Sequence, residues 1–259
     1  MVNKLSPYLT GFLRSVSTYT RIPVKANWEE QDGVAHPVCF LPWVGLIVAV
    51  LSAWPLLFFS WSDELQAIFM LLSAVLITGA FHEDGLLDSA DGLVGGWNQE
   101  QRLAIMKDSR IGSFAAITVV FSILIKWWLL TQWIDNNEWQ GGALSVLGGW
   151  IAVHVLARIL PLLMMSSLSY VSSAQSKSAS MIAKLSFRDW CVALSSLLLC
   201  FISVGLISLL LSIIALGIFF LIARVYLNRR IRGFNGDTLG AVEQISEALV
   251  IFSLLGFAA

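Results

Sequence analysis

Residues 190–227 read WCVALSSLLLCFISVGLISLLLSIIALGIFFLIARVYL, with Arg224 the one charged side chain in the run. A helix rises about 1.5 Å per residue, and about 20 apolar residues cross the roughly 30 Å of membrane hydrocarbon. As one straight helix this run is nearly twice too long, whereas a hairpin breaking near Ser203 and Gly205 fits. Further apolar runs at 38–61, 65–82, 111–134 and 143–165 each suffice for a span, and a weaker one lies at 239–257. Lipid offers no partner to an unpaired backbone group, so such runs must be helical. The sequence therefore predicts an all-α, polytopic membrane bundle of about six to seven transmembrane helices.

Charge placement agrees with this division, because short cytoplasmic loops collect Lys and Arg. With the N-terminus inside, one face receives Lys4, Arg14, Arg21 and Lys25, then Arg102, Lys107 and Arg110, then Lys177, Lys184 and Arg188, then Arg229, Arg230 and Arg232. The other face receives Asp63, Glu64, Asp135 and Glu138 and neither Lys nor Arg. A single helix over 190–227 would put the loop at 168–189 and the Arg229 cluster on opposite sides, so the hairpin is favoured twice. The last run either spans or lies along the interface.

Of 259 residues, 57% are hydrophobic and 13% charged, and the mean hydropathy is +0.78; soluble domains are about one quarter charged. A net charge of -1 with no long basic tract excludes a nucleic-acid footprint. Cys39, Cys191 and Cys200 lack the spacing of a zinc site and the density of a disulfide scaffold, which leaves packing. The N-terminal residues lack an h-region and a small-residue cleavage site, so no removed signal peptide is expected. Residues 1–259 read as one membrane domain, with a cytoplasmic or interfacial segment at 1–37, including a short amphipathic stretch at 5–19, and a bundle at 38–257. Small residues in the spans permit close helix contacts, compatible with a homo-oligomer, without marking a dimer face.

Chemistry concentrates at 82–110, on a cytoplasmic connection. In FHEDGLLDSADGLVGGW, Asp84, Asp88 and Asp91 share one helix face within about 40°. Like carboxylates so placed repel, which a hard divalent cation such as Mg²⁺ relieves, often with substrate phosphates completing its shell. Gly85 and Gly92 would let a phosphate approach the backbone. Asp108, in QRLAIMKDSRIGSF, returns to the same face as a fourth ligand or a general base, and Lys107 and Arg110 stand ready to neutralise a transferring phosphoryl group. His82 is a metal ligand, a base, a phosphate ligand, or a merely hydrogen-bonded helix end. Single acidic residues at a membrane surface are ordinarily just solvated; it is the grouping that argues for function.

Within the spans, His154 and Arg158 share a face four residues apart, and charge at that depth is costly. Arg158 binds substrate phosphate or forms a structural ion pair, and Lys126 pairs with an intramembrane acid. In GFNGDTLGAVEQISEALV, Asp237, Glu243 and Glu247 open the last run, Glu243 and Glu247 on one face, although helix N-termini favour acids in any case. GLVGG lacks the Lys-Ser/Thr pair of a P-loop.

At HEDGLLDSADGL, IMKDSRIGSF and NGDTLGAVEQISE, and at TRIPV near the start, the sequence resembles the cobalamin synthase (adenosylcobinamide-GDP ribazoletransferase) family. The resemblance covers most of the chain. It implies Mg²⁺-dependent attack by a ribose hydroxyl of α-ribazole, or of its 5'-phosphate, on adenosylcobinamide-GDP with release of GMP, in the cytoplasmic membrane of a bacterium, the inner one if Gram-negative. His82, Asp84, Gly85, Asp88, Asp91, Gly92, Asp108, Ser109 and Gly112 match its motifs, as do Gly236, Asp237, Gly240 and Glu247. Glu83 stands where Leu is common, Leu87 where Ala is, and Asn235 where Thr is, the last expected to matter little. The DGxxAR run of CDP-alcohol phosphotransferases, which run an analogous reaction, is absent. A cation-coupled transporter is the other class, disfavoured because the acids sit at span ends and no inverted repeat is marked.

Overall fold

The computed structural model describes residues 6–28, 35–58, 61–138, 142–171 and 185–256. Its helices are α1 (Pro7–Tyr19), α2 (Leu41–Ser52), α3 (Trp54–Phe58), α4 (Asp63–Thr78), α5 (Phe81–Gly95), α6 (Gln99–Ile105), α7 (Ser113–Glu138), α8 (Gly142–Ala157), α9 (Ile159–Ser167), α10 (Phe187–Ser195), α11 (Leu197–Ile231) and α12 (Gly236–Leu255). Among the described residues no strand forms, and Tyr170 makes one isolated bridge with Phe234. Lys4, Lys177 and Lys184 of the charge pattern lie outside the described residues.

Four helices are long and apolar enough to cross a membrane: α7, α8 continuing into α9, α11 and α12; α4 and α5 together make a fifth, bent by 90°. The span expected at 65–82 thus breaks before its end. Gly79 and Ala80 both adopt left-handed backbone, φ 69° and 58°, a conformation that costs a residue with a Cβ about 1 kcal/mol or more. The run at 38–61 is divided as well, into a 3-10 turn at Pro37–Phe40, α2 and α3.

The hairpin expected near Ser203 and Gly205 is present inside α11. Gly205 leaves the helical region at φ 77°, ψ 172°. Leu194 and Leu197 line the same 500 Å³ apolar cavity as Leu216 and Phe220, whereas a straight helix would separate Leu197 from Phe220 by about 34 Å. Beyond the break, the Ser212 and Ser253 hydroxyls pair at 2.8 Å.

Burial ranks the helices. The α8–α9 span is 83% buried, against 28% for α7 and 22% for α11, so α8 is the axis and α7 and α11 turn apolar side chains such as Phe121, Ile202 and Leu221 outward to lipid. Expected as an amphipathic stretch, α1 begins at Pro7, where the missing N–H costs nothing, with Ser6 Oγ accepting from the Leu9 amide. It docks rather than floats: Arg14 is buried and its Nε donates to Asn27 O at 2.7 Å.

Candidate active site

Two layers of charge meet where α5, α7, α8 and α12 converge. The upper layer is an acidic mouth. Its geometry comes from a glycine crossing: a Cβ on Gly85 would lie 2.7 Å from Asp237 O and 3.2 Å from the Gly240 Cα, and one on Gly240 would lie 3.0 Å from His82 O. Only hydrogen at both positions lets α5 and α12 approach so closely. The crossing sets Asp84 and Asp88 beside Asp237, near enough that Asp88 feels the charges of Asp237, Asp84 and Asp91, and Asp237 those of Asp84 and Lys107. Among the described residues neither the Asp84 nor the Asp88 carboxylate has a hydrogen-bonding or ion-pair partner.

Asp237 is held in place. Asn235 Oδ1 accepts from the Thr238 amide at 2.9 Å, capping α12, while its Nδ2 donates to Asp237 Oδ2 at 2.8 Å and to Met106 Sδ at 3.3 Å. A threonine offers no such amide, so the change at Asn235 matters more than its sequence suggested. Gly85 and Gly92, expected to admit a phosphate, do not: Asp237 occupies the space over Gly85, and Met106 and Arg102 that over Gly92.

Two of the expected carboxylate ligands are committed elsewhere. Asp91 Oδ2 accepts from the Gly112 amide at 2.6 Å and its Oδ1 from the Ala115 amide at 2.9 Å, so it caps the start of α7 from across the bundle, where a helix favours negative charge. Asp108 is gripped by the exposed Arg110, Nη2 to Oδ2 at 2.5 Å. The Arg110 side chain, then its amide, hold the Asp108 carboxyl down at about 2. Among the described residues, the set whose ligand atoms all lie within 4.8 Å of one another, as a metal requires, is instead His154, Glu243 and Glu247.

That trio belongs to the lower layer, a buried charge network. Arg158, 1% exposed, places Nη1 2.9 Å from Glu243 Oε1 and 3.3 Å from Glu247 Oε1. Glu247 is also 2.8 Å from His154 Nδ1 and 3.1 Å from Lys126 Nζ, which donates to Gln244 Oε1 at 2.5 Å as well. His82 Nδ1 lies 3.3 Å from Glu243 Oε2. With the histidines neutral, two cations face two anions. Such balance offsets the cost of burying charge. Arg158, left open between a substrate phosphate and a structural ion pair, is paired with Glu243 and with Glu247, a residue whose match to the family motif had suggested substrate binding, and Lys126 has the intramembrane acid expected for it. His82, expected at the chemistry, is buried against Glu243. Glu83 turns away from the mouth to line a 230 Å³ cavity between α4, α5 and α7.

Sequence spacing exposed each half of the network, His154 with Arg158 and Glu243 with Glu247, each at i and i+4. The partnerships between halves, and Gln244 altogether, had no signal, because no local pattern says which helix faces which.

Fold and site together define a polytopic helical membrane protein with an acidic mouth over a charge-balanced buried network. The chain belongs to the cobalamin-5-phosphate synthase family, whose model matches residues 11–255. It is 34% identical over 252 residues to the adenosylcobinamide-GDP ribazoletransferase of Shewanella piezotolerans, covering 95% of each chain. It is 36% identical over 256 residues to that of Shewanella halifaxensis, again over 95% of each. To that of Vibrio parahaemolyticus it is 32% identical over 253 residues, 95% of this chain and 92% of the other. No solved structure matches it.

Proposed function

We propose that this protein is an adenosylcobinamide-GDP ribazoletransferase of cobalamin synthesis: a ribose hydroxyl of α-ribazole, or of its 5'-phosphate, attacks the pyrophosphate of adenosylcobinamide-GDP and expels GMP. The observation that carries the reading is the convergence of Asp84, Asp88 and Asp237 at the Gly85–Gly240 crossing, with neither Asp84 nor Asp88 in an ion pair among the described residues, in a chain of this family.

These hard oxygen donors fit Mg²⁺. Asp84, Asp88 and Asp237 would hold the ion, with Asp91 fixing α7 beside them and Asp108 outside the set. Bound there, Mg²⁺ supplies neutralisation of pyrophosphate charge. The chain's own groups do the rest. Lys107 and the exposed Arg110 attract the pyrophosphate and orient it. When Arg110 turns to the phosphates it releases Asp108, whose carboxylate then accepts the proton of the attacking hydroxyl as the O–P bond forms and the bond to GMP breaks. His82 and Arg158 position α5 and α12 through the buried network. Lys and Arg at the mouth end, including Arg21, Lys107, Arg110, Arg229 and Arg230, support a site facing the cytoplasm from a bacterial inner membrane.

The deciding experiment measures GMP release by the purified, detergent-solubilised protein given adenosylcobinamide-GDP and α-ribazole, with Mg²⁺ or with EDTA, alongside Asp84→Asn and Asp88→Asn. GMP and joined corrinoid should appear with Mg²⁺ and fall at least 100-fold in either variant. Mg²⁺ binding without GMP release would sink the substrate assignment and direct the search to CDP-alcohols.

A further inference from the structure

The cavity between α4, α5 and α7 is walled by Leu71, Val75, Leu87, Val119, Ile123 and Trp150, and floored by Lys126, His154 and Glu247 of the buried network. Besides His82 Nδ1, which faces Glu243 Oε2 at 3.3 Å, three polar atoms on its lining residues are buried without a hydrogen-bond partner: Glu83 Oε2, His154 Nε2 and Arg158 Nε. Buried polar groups are nearly always hydrogen-bonded, and His154 is 1% exposed, so such atoms mark a place for a ligand with heteroatoms. An acyl chain would leave all three dry.

We propose that this cavity holds the azole base of the ribazole. The inference rests on the ribazoletransferase reading and deepens it. A cavity of about 150 Å³ takes up benzene. At 230 Å³ this one accommodates a fused two-ring base, and a corrin macrocycle is far too large for it. An N-ribosylated azole keeps one bare ring nitrogen, an acceptor. Lys126 spends two N–H bonds on Gln244 and Glu247 and has a third to donate, while Glu83 Oε2 accepts from a ribose hydroxyl. Aliphatic walls and the Trp150 face take the ring itself. Position then links binding to chemistry: Glu83 and Leu87 on the cavity face of α5 directly precede Asp84 and Asp88 on the mouth face, so a base seated here delivers its ribose toward the carboxylates.

The wild-type protein is photolabelled with an azido-substituted α-ribazole, in competition with α-ribazole, and the labelled peptides are mapped. Labels suppressed by α-ribazole should fall on the cavity-lining stretches of α4, α5, α7, α8 and α12; competed labels confined to helices that do not line it, such as α1, α2, α10 or α11, would overturn the inference. In parallel, Ser122→Phe fills the cavity from α7, where Ser122 lines it half-buried. KM for α-ribazole should rise at least tenfold while KM for adenosylcobinamide-GDP stays within twofold. An unchanged ribazole KM, the result an acyl-chain occupant would give, refutes it, and should Ser122→Phe not fold, the wild-type label map decides. Failure of the transferase reading itself looks different: no GMP release by the wild type with any ribazole.

Discussion

Arg158→Met removes the cation that joins Glu243 to Glu247. Arg158 is 1% exposed, and its Nη1 lies 2.9 Å from Glu243, 3.3 Å from Glu247 and 2.9 Å from His154 O. Methionine keeps the apolar stem and leaves two carboxylates on one helix face with Lys126 as the remaining close cation. Stripping one partner from a buried ion pair costs about 3–5 kcal/mol. In a chain of this size each kcal/mol moves Tm by about 2–4 °C, so the variant should melt about 6–20 °C lower. Unfolding of detergent-solubilised protein, followed by tryptophan fluorescence, measures this, since Trp150 stacks edge-on against His154 with centroids 4.2 Å apart. Adding Glu243→Gln removes one orphaned charge and should recover at least about a third of the loss. A Tm drop under 2 °C, or no recovery in the double variant, would refute the buried pairing and return Arg158 to a direct role at the substrate.

Gly85→Ala drives a Cβ to within 2.7 Å of Asp237 O; overpacking of this kind costs about 1–3 kcal/mol, and because it separates Asp84 from Asp237, kcat should fall more than tenfold. Asp91→Asn weakens the cap on α7 and should lower stability by about 1–2 kcal/mol, whereas Asp84→Asn and Asp88→Asn should leave Tm unchanged while abolishing activity; equal Tm losses in all three would contradict the division of roles. Arg110→Ala should leave Tm within 1 °C and raise KM for the corrinoid, and it frees Asp108 to titrate near its usual 3.8 rather than about 2, readable as an upward shift of its carbon-13 carboxyl titration. The Asp108–Arg110 pairing is thus complete above that usual value and is lost as pH falls toward 2. Gly205→Ala meets no atom within 4 Å, so its cost is the backbone's alone, about 1–3 kcal/mol for a residue with a Cβ at φ 77°.

The long apolar run at 190–227, together with the basic residues gathered on one side, by itself calls for a fold-back near Gly205, because hydrocarbon thickness and the positive-inside bias constrain chain length and charge independently. The spacing of Asp84, Asp88 and Asp91 likewise put three carboxylates on one helix face, since a periodicity of 3.6 residues is a local property. What the sequence could not decide is which faces meet. Asp91 reads as a third ligand until α7 is seen to start against it. Gly85 and Gly92 read as openings for phosphate until α12 and α6 are seen to fill them. Asp237, outside the expected carboxylate set, enters the mouth only because Gly85 and Gly240 let two distant helices touch, and Arg158, Glu247 and Lys126 become one network only in the packed bundle. Helix periodicity and lipid solvation act on neighbouring residues and are written into short stretches of chain, whereas the pairing of charges across helices depends on tertiary approach, which no local pattern encodes.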